Sequence, residues 1–129
     1  MEQERNQKII PGMVFYTSWG YDQTNYDYIV VKKISPSGKT CICQLAKYDH
    51  VGYSGQCNVQ KPKPVGYGYE FRMRIDHWRG TVGLRGSYPF CSSEVARLDP
   101  GEKPSMRLGS FSLAKENQVF HETDSIFGH

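Results

Sequence analysis

The stretch Tyr69-Glu70-Phe71-Arg72-Met73-Arg74-Ile75-Asp76 alternates apolar and charged side chains without a break. A β-strand turns successive side chains to opposite faces, so Tyr69, Phe71, Met73 and Ile75 share one face and Glu70, Arg72, Arg74 and Asp76 the other. A helix would scatter these residues around its axis, so this part of the chain is committed to a half-buried sheet. Elsewhere, 13 Gly and 7 Pro in 129 residues interrupt the chain too often for long helices, while 9 Tyr, 6 Phe and 2 Trp suit short strands. The expected fold is mainly β, a small antiparallel SH3-like or partly open barrel with long loops.

Other strands follow from shorter patterns. Met13 to Ser18 reads as a first strand after the Pro11-Gly12 turn, and Tyr28 to Ser35 as a second. Pro36-Ser37-Gly38 then turns the chain into Lys39 to Ala46, giving a hairpin. Lys47 to Gly68 holds Gly52, Gly55, Gly66, Gly68, Pro62 and Pro64 and is expected to be a long loop with at most a short strand near Cys57 to Val59. Within it, Lys61-Pro62-Lys63-Pro64 should be extended, because proline and its predecessor both disfavour helix. Thr81 to Arg85 pairs back before a Gly86-Ser87-Tyr88-Pro89 turn, Ser92 to Leu98 allows one helical turn, and Ser105 to Leu113 is a last long strand. Val119-Phe120 and Ile126-Phe127 are apolar pairs that can tuck under the barrel.

At 14.8 kDa the chain has the size of one domain. Residues 1–9 read as a flexible polar leader and 10–129 as a single β domain, with Ile9 and Ile10 anchoring its start. Sixteen Lys and Arg against thirteen Asp and Glu leave a net charge of +3, which neither demands nor excludes a polyanion partner. No apolar run approaches the length of a membrane span, and the charged start lacks the apolar core of a signal peptide, so a cytoplasmic location is expected. Cys41, Cys43, Cys57 and Cys91 lack the spacing of a zinc knuckle, and Cys41 and Cys43 should share one buried strand face.

The densest chemistry lies between the first two strands, in Trp19-Gly20-Tyr21-Asp22-Gln23-Thr24-Asn25 and the following Tyr26-Asp27-Tyr28. This segment, together with the Gly12-x-x-Phe15 approach, the Arg72-x-Arg74 strand and the final Gly128-His129, resembles a family of small uncharacterised proteins of bacteriophages, prophages and other mobile elements. The chain departs from that family at Lys115-Glu116-Asn117-Gln118, where its members carry Trp-Asp-Gly-Lys-like residues. The resemblance implies a mobile-element setting, in which small proteins often act on host defence or on nucleic acids.

Two readings compete for the Trp19–Asn25 segment. Trp19, Tyr21 and Tyr26 offer faces on which a base can stack, while Gln23 and Asn25 can read a base edge; equally, Asp22, Thr24 and Asn25 can bond backbone groups to shape an irregular turn. Arg72, Arg74 and Arg79 supply guanidinium forks for phosphate, or else form a solvated face partly neutralised by Glu70 and Asp76. The expected ligand-binding set is therefore Trp19, Tyr21, Asp22, Gln23, Asn25, Tyr26, Arg72, Arg74 and Arg79. His50, His77, His121 and His129 are scattered, and the Asp49-His50 and Asp76-His77 neighbours point to opposite strand faces, so no catalytic dyad is visible and no cofactor is implied. The expectation is a non-enzymatic binding protein for nucleic acid or a nucleotide-like ligand. Its alternatives are an inhibitor that contacts a host protein, and a metal-dependent phosphodiester hydrolase using Asp22, Asp27 and Asp76.

Overall fold

The structure, a computed structural model, describes residues 9–19, 25–54, 57–78, 80–90, 95, 97–99, 102–115 and 118–123. For Trp19, Ser54, Cys57, Trp78 and Thr123 only the backbone is described. The strands are β1 (Val14–Trp19), β2 (Asn25–Ile34), β3 (Thr40–Ser54), β4 (Cys57–Trp78), β5 (Thr81–Pro89), β6 (Met106–Leu113) and β7 (Phe120–Thr123). Successive strands β1 to β6 pair antiparallel, and Phe15↔Leu113 and Tyr16↔Ser112 join β1 to β6. The small antiparallel barrel expected from the sequence is therefore formed, and it is closed. β7 adds to the outer edge of β4 through Gln60↔Phe120 to Cys57↔Thr123.

Alternation fills the barrel. Phe15, Ile29, Val31, Cys41, Cys43, Phe71, Met73, Val82, Leu84 and Phe111 point inward and are buried. The Tyr69–Asp76 stretch behaves as its pattern requires, with Phe71 and Met73 buried and Glu70, Arg72 and Arg74 exposed. Cys41 and Cys43 share the inner face as expected; their sulfurs lie 3.6 Å apart, and this hydrogen bond with burial holds the Cys43 thiol well above the usual range.

β2 is buried on both faces. Tyr28 and Val30 point out of the barrel, yet are 3% and 1% exposed, because a second apolar cluster covers them with Ala46 and Phe120. The cover is supplied by the far halves of β3 and β4 and by β7.

One expectation is corrected by this arm. Residues 47–68 form no loop: β3 runs on to Ser54 and β4 begins at Cys57, the two pairing from Ser54↔Cys57 to Thr40↔Arg74. Register shifts at Cys43/Leu45, Ala46/Tyr48 and His50/Gly52 bend the ladder without ending it. Pro62 and Pro64 are tolerated because β4 between its β7 and β5 pairings is bonded to β3 alone, leaving an edge that needs no donor. The Lys61–Pro64 segment is extended, as expected.

The expected turn at Gly86–Pro89 is instead the end of β5. Gly86 marks a close approach, since a Cβ there would meet Met73 Sδ at 3.0 Å and the Arg72 carbonyl oxygen at 3.2 Å. The tail contributes β7, with Phe120 buried, Val119 exposed and 126–127 outside the described residues. Ile9, placed in the leader by the sequence, is only 6% exposed and belongs to the core. Val95 and Arg97 have helical backbone, within the single turn expected there, and no described helix is long and apolar enough to cross a membrane.

Gly68 locks the bend of β4. Its φ of +77° lies in the left-handed region, and an added Cβ would collide with the buried Val95 side chain. Gly68→Ala is expected to destabilise the fold by about 2 kcal/mol or more, backbone strain adding to the clash, as a lowered denaturant midpoint at unchanged slope would record.

Candidate functional site

The site residues expected from the sequence fall into separate places. Tyr21, Asp22, Gln23 and Arg79 lie outside the described residues, and of Trp19 only the backbone is seen, paired with Asn25 where β1 hands over to β2. β1 and β2 are thus paired antiparallel up to the edges of this block. Asn25 Nδ2 is buried there without a hydrogen bond. Tyr26 belongs to the second apolar cluster, its ring centroid 5.0 Å from that of Phe120, 6.2 Å from Tyr16 and 6.3 Å from Tyr28.

Arg72 and Arg74 share the exposed face of β4 as the alternation predicts, beside the end of β2 opposite Asn25. Asn25 opens β2 against Trp19, whereas Ile34 closes it against Cys41, whose neighbours Ile42 and Thr40 pair with Arg72 and Arg74. Of the described junction residues, Asn25 and Tyr26 do not line the surface that carries Arg72. Arg74 is drawn to Asp76 at 3.4 Å, and Asp76 also lies 3.8 Å from Arg85. Both pairs are solvent-exposed and contribute little to stability.

Arg72 differs. Its guanidinium points along the sheet to within 3.5 Å of Thr40 Oγ1, and it lines an open groove of about 860 Å³ beside the β2–β3 turn. Lys33 enters this groove from β2 and Lys103 from the segment before β6, so three cations from separate parts of the chain face one space. Glu70 is the single carboxylate among the lining residues, while Tyr69, Ser35 and Ser87 add a ring and two hydroxyls. A concave surface with net positive charge, hydrogen-bond donors and an aromatic side chain can hold a phosphate and a planar group together. Neither Lys33 nor Lys103 belongs to the binding set expected from the sequence, because nothing in their spacing links them to Arg72; only the folded geometry brings them to it.

A second polar group is built into the outer layer. Gln60 is 2% exposed, accepts a hydrogen bond from the Tyr28 hydroxyl at 2.5 Å, and donates through Nε2 to Asn58 Oδ1 at 2.9 Å and Glu122 Oε1 at 2.8 Å. Glu122 Oε2 accepts from the Tyr26 backbone N–H at 3.0 Å. On the inner side of β2, Asp27 accepts from the Tyr88 hydroxyl at 2.6 Å and lies 3.8 Å from Arg107, which itself donates to Tyr88 at 3.0 Å. Of the three carboxylates of the metal-site alternative, Asp27 lies 3.8 Å from Arg107 and Asp76 3.4 Å from Arg74, while Asp22 lies outside the described residues; among the described residues no three His, Cys, Asp or Glu side chains gather.

These contacts shift the phenols. Burial, reinforced by the Glu122 charge, raises the Tyr28 hydroxyl far above its ordinary 10.0, and burial with the Asp27 hydrogen bond does the same for Tyr88. A folded-state pKa above the unfolded one stabilises the protein below the unfolded value, and the contribution is lost as pH rises toward the folded value. Ultraviolet titration of tyrosinate is thus expected to show the Tyr28 and Tyr88 phenols still un-ionised above pH 10.0, with both released together when the fold collapses at higher pH. Tyr28→Phe should remove one of these late phenols and leave Gln60 short of a partner, at a stability cost of about 1–2 kcal/mol.

No family model, curated protein or solved structure matches the chain.

Proposed function

We propose that the protein is a non-enzymatic binding protein that captures nucleic acid or a nucleotide-like ligand in the groove beside the β2–β3 turn. The observation that carries this reading is the convergence of Lys33, Arg72 and Lys103 on that groove with one opposing carboxylate, Glu70. Guanidinium supplies a paired donor for phosphate oxygens, the two ammonium groups supply charge without fixed direction, and Tyr69 offers a surface for a base. The groove lies in the volume range of small-ligand sites, so a nucleotide or a short stretch of single strand fits its scale. The resemblance to phage and mobile-element proteins agrees with a nucleic-acid setting.

The test is fluorescence anisotropy with a panel of nucleotides and short single-stranded oligonucleotides at two salt concentrations. Arg72→Ala and Lys103→Ala are each expected to weaken binding about tenfold and to lower the salt slope by about 1, because each removes one phosphate contact. Arg74→Ala, held by Asp76 outside the groove, should have a smaller effect. Absence of binding across the panel, or an unchanged affinity in Arg72→Ala, would sink the proposal.

A second reading, inhibition of a host protein by direct contact, is favoured by the far end of the β3–β4 arm, where Val51 and Tyr53 are 51% and 65% exposed. Aromatic and apolar side chains on a projecting hairpin are suited to anchor a protein interface. Replacing both with Ser should abolish recovery of a host protein from lysate if this reading holds, and recovery unaffected by the change would remove it.

A further inference from the structure

We infer that the recess at the start of β2 binds a small organic cation of the trimethylammonium type, a ligand opposite in charge to that of the groove. The recess measures about 180 Å³, and its lining residues include Tyr26, Tyr28, Tyr48, Tyr67 and Phe90 together with Asp27 and Glu122. It shares no lining residue with the basic groove, so this inference stands independently of the function proposed above.

Ring arrangement is the first support. The Tyr28 and Tyr48 centroids lie 5.4 Å apart with planes inclined at 59°, while Tyr26 lies nearly parallel to Tyr28 at 11°. Inclined rings make a corner with aromatic surface on more than one side, the geometry in which ring quadrupoles act together on a cation. Phe90 already shows this chemistry, since the Arg107 guanidinium carbon stands 5.1 Å from its ring centroid.

Charge is the second. Asp27 is offset by Arg107 at 3.8 Å, but Glu122 has no cationic partner among the described residues, its two oxygens accepting only from Gln60 and the Tyr26 N–H. Among the described residues, Glu122 thus brings to the recess a carboxylate that no cation offsets. The same field is felt at the rings: the Tyr28 and Tyr48 hydroxyls are raised first by burial and then by Glu122, with Asp27 contributing to both.

Size and hydration select the ligand. The space is too small for a nucleotide, and ring faces cannot replace the oxygen shell of a hard metal ion. A methylated ammonium holds its water loosely and presents an apolar surface around a positive centre, so it loses little on entering an aromatic recess and gains both burial and charge. The Tyr48 ring is 47% exposed at the rim, which leaves an entrance and makes Tyr48 replaceable without emptying the core.

The experiment is titration of the full chain with choline, followed by backbone amide resonances, beside its neutral isostere in which carbon replaces the quaternary nitrogen. Saturable shifts centred on Tyr26, Tyr28 and Tyr48 are expected, with the isostere binding about tenfold more weakly. Tyr48→Phe should keep affinity within about twofold, whereas Tyr48→Leu, of similar apolar bulk without the ring, should lose about fivefold, and Glu122→Gln should lose as much. Equal binding of the isostere would reduce the recess to an apolar pocket and overturn the inference. So would a lack of saturation, or Tyr48→Leu binding choline as well as Tyr48→Phe.

Discussion

Everything in this fold depends on β2 being apolar on both faces. Ile29 and Val31 enter the barrel, while Tyr28 and Val30 point away from it and still have to leave water. A closed barrel buries only one face of each strand, so the chain has to supply a second layer. It does so by extending β3 and β4 well beyond the barrel, bending them with three register shifts, and adding β7 at their edge. Phe120 completes the layer with ring contacts to Tyr16, Tyr26 and Tyr28 at 4.7, 5.0 and 5.3 Å.

The same arrangement separates charge. At one end of β2 sit Asp27 and Glu122 among rings; at the other, Lys33 with Arg72 and Lys103. The six residue steps of strand from Asp27 to Lys33 place these groups about 20 Å apart, more than two screening lengths at physiological salt. The modest whole-chain charge of +3 hides this division, because the two regions nearly cancel in the sum. A single strand thus connects a surface suited to anions with a recess suited to cations, and neither weakens the other at that distance.

How much of this the sequence disclosed depended on whether the information was local. The Tyr69–Asp76 alternation, the hairpin around Pro36–Gly38 and the shared inner face of Cys41 and Cys43 are local patterns, and each is found in the fold. The 47–68 segment misled because glycine and proline were read as ending strands, when here they sit where β4 bends or has an unpaired edge. The second layer had one visible sign: Tyr28-Ile29-Val30-Val31 is a continuous apolar run, which a strand with one wet face does not need. Gln60, Glu122, Lys33 and Lys103 had none, since their partners lie far away in the chain and only the closed topology brings them together.

The buried Gln60 explains why the outer layer adopts one register. Tyr28 and Val30 present a smooth apolar surface that would accept Phe120 in several positions, and side chains of a strand shifted by one residue would face the opposite way. Such a slip would turn Gln60 outward, leave the Tyr28 hydroxyl buried without an acceptor and separate Glu122 from both Gln60 and the Tyr26 N–H. Each abandoned group carries the cost of an unmade buried hydrogen bond, about 1–3 kcal/mol, so together they outweigh what apolar contact alone could distinguish. The polar network thus adds selectivity to an interface whose attraction is apolar. By fixing Glu122 against the start of β2, it also holds the carboxylate that gives the aromatic recess its charge.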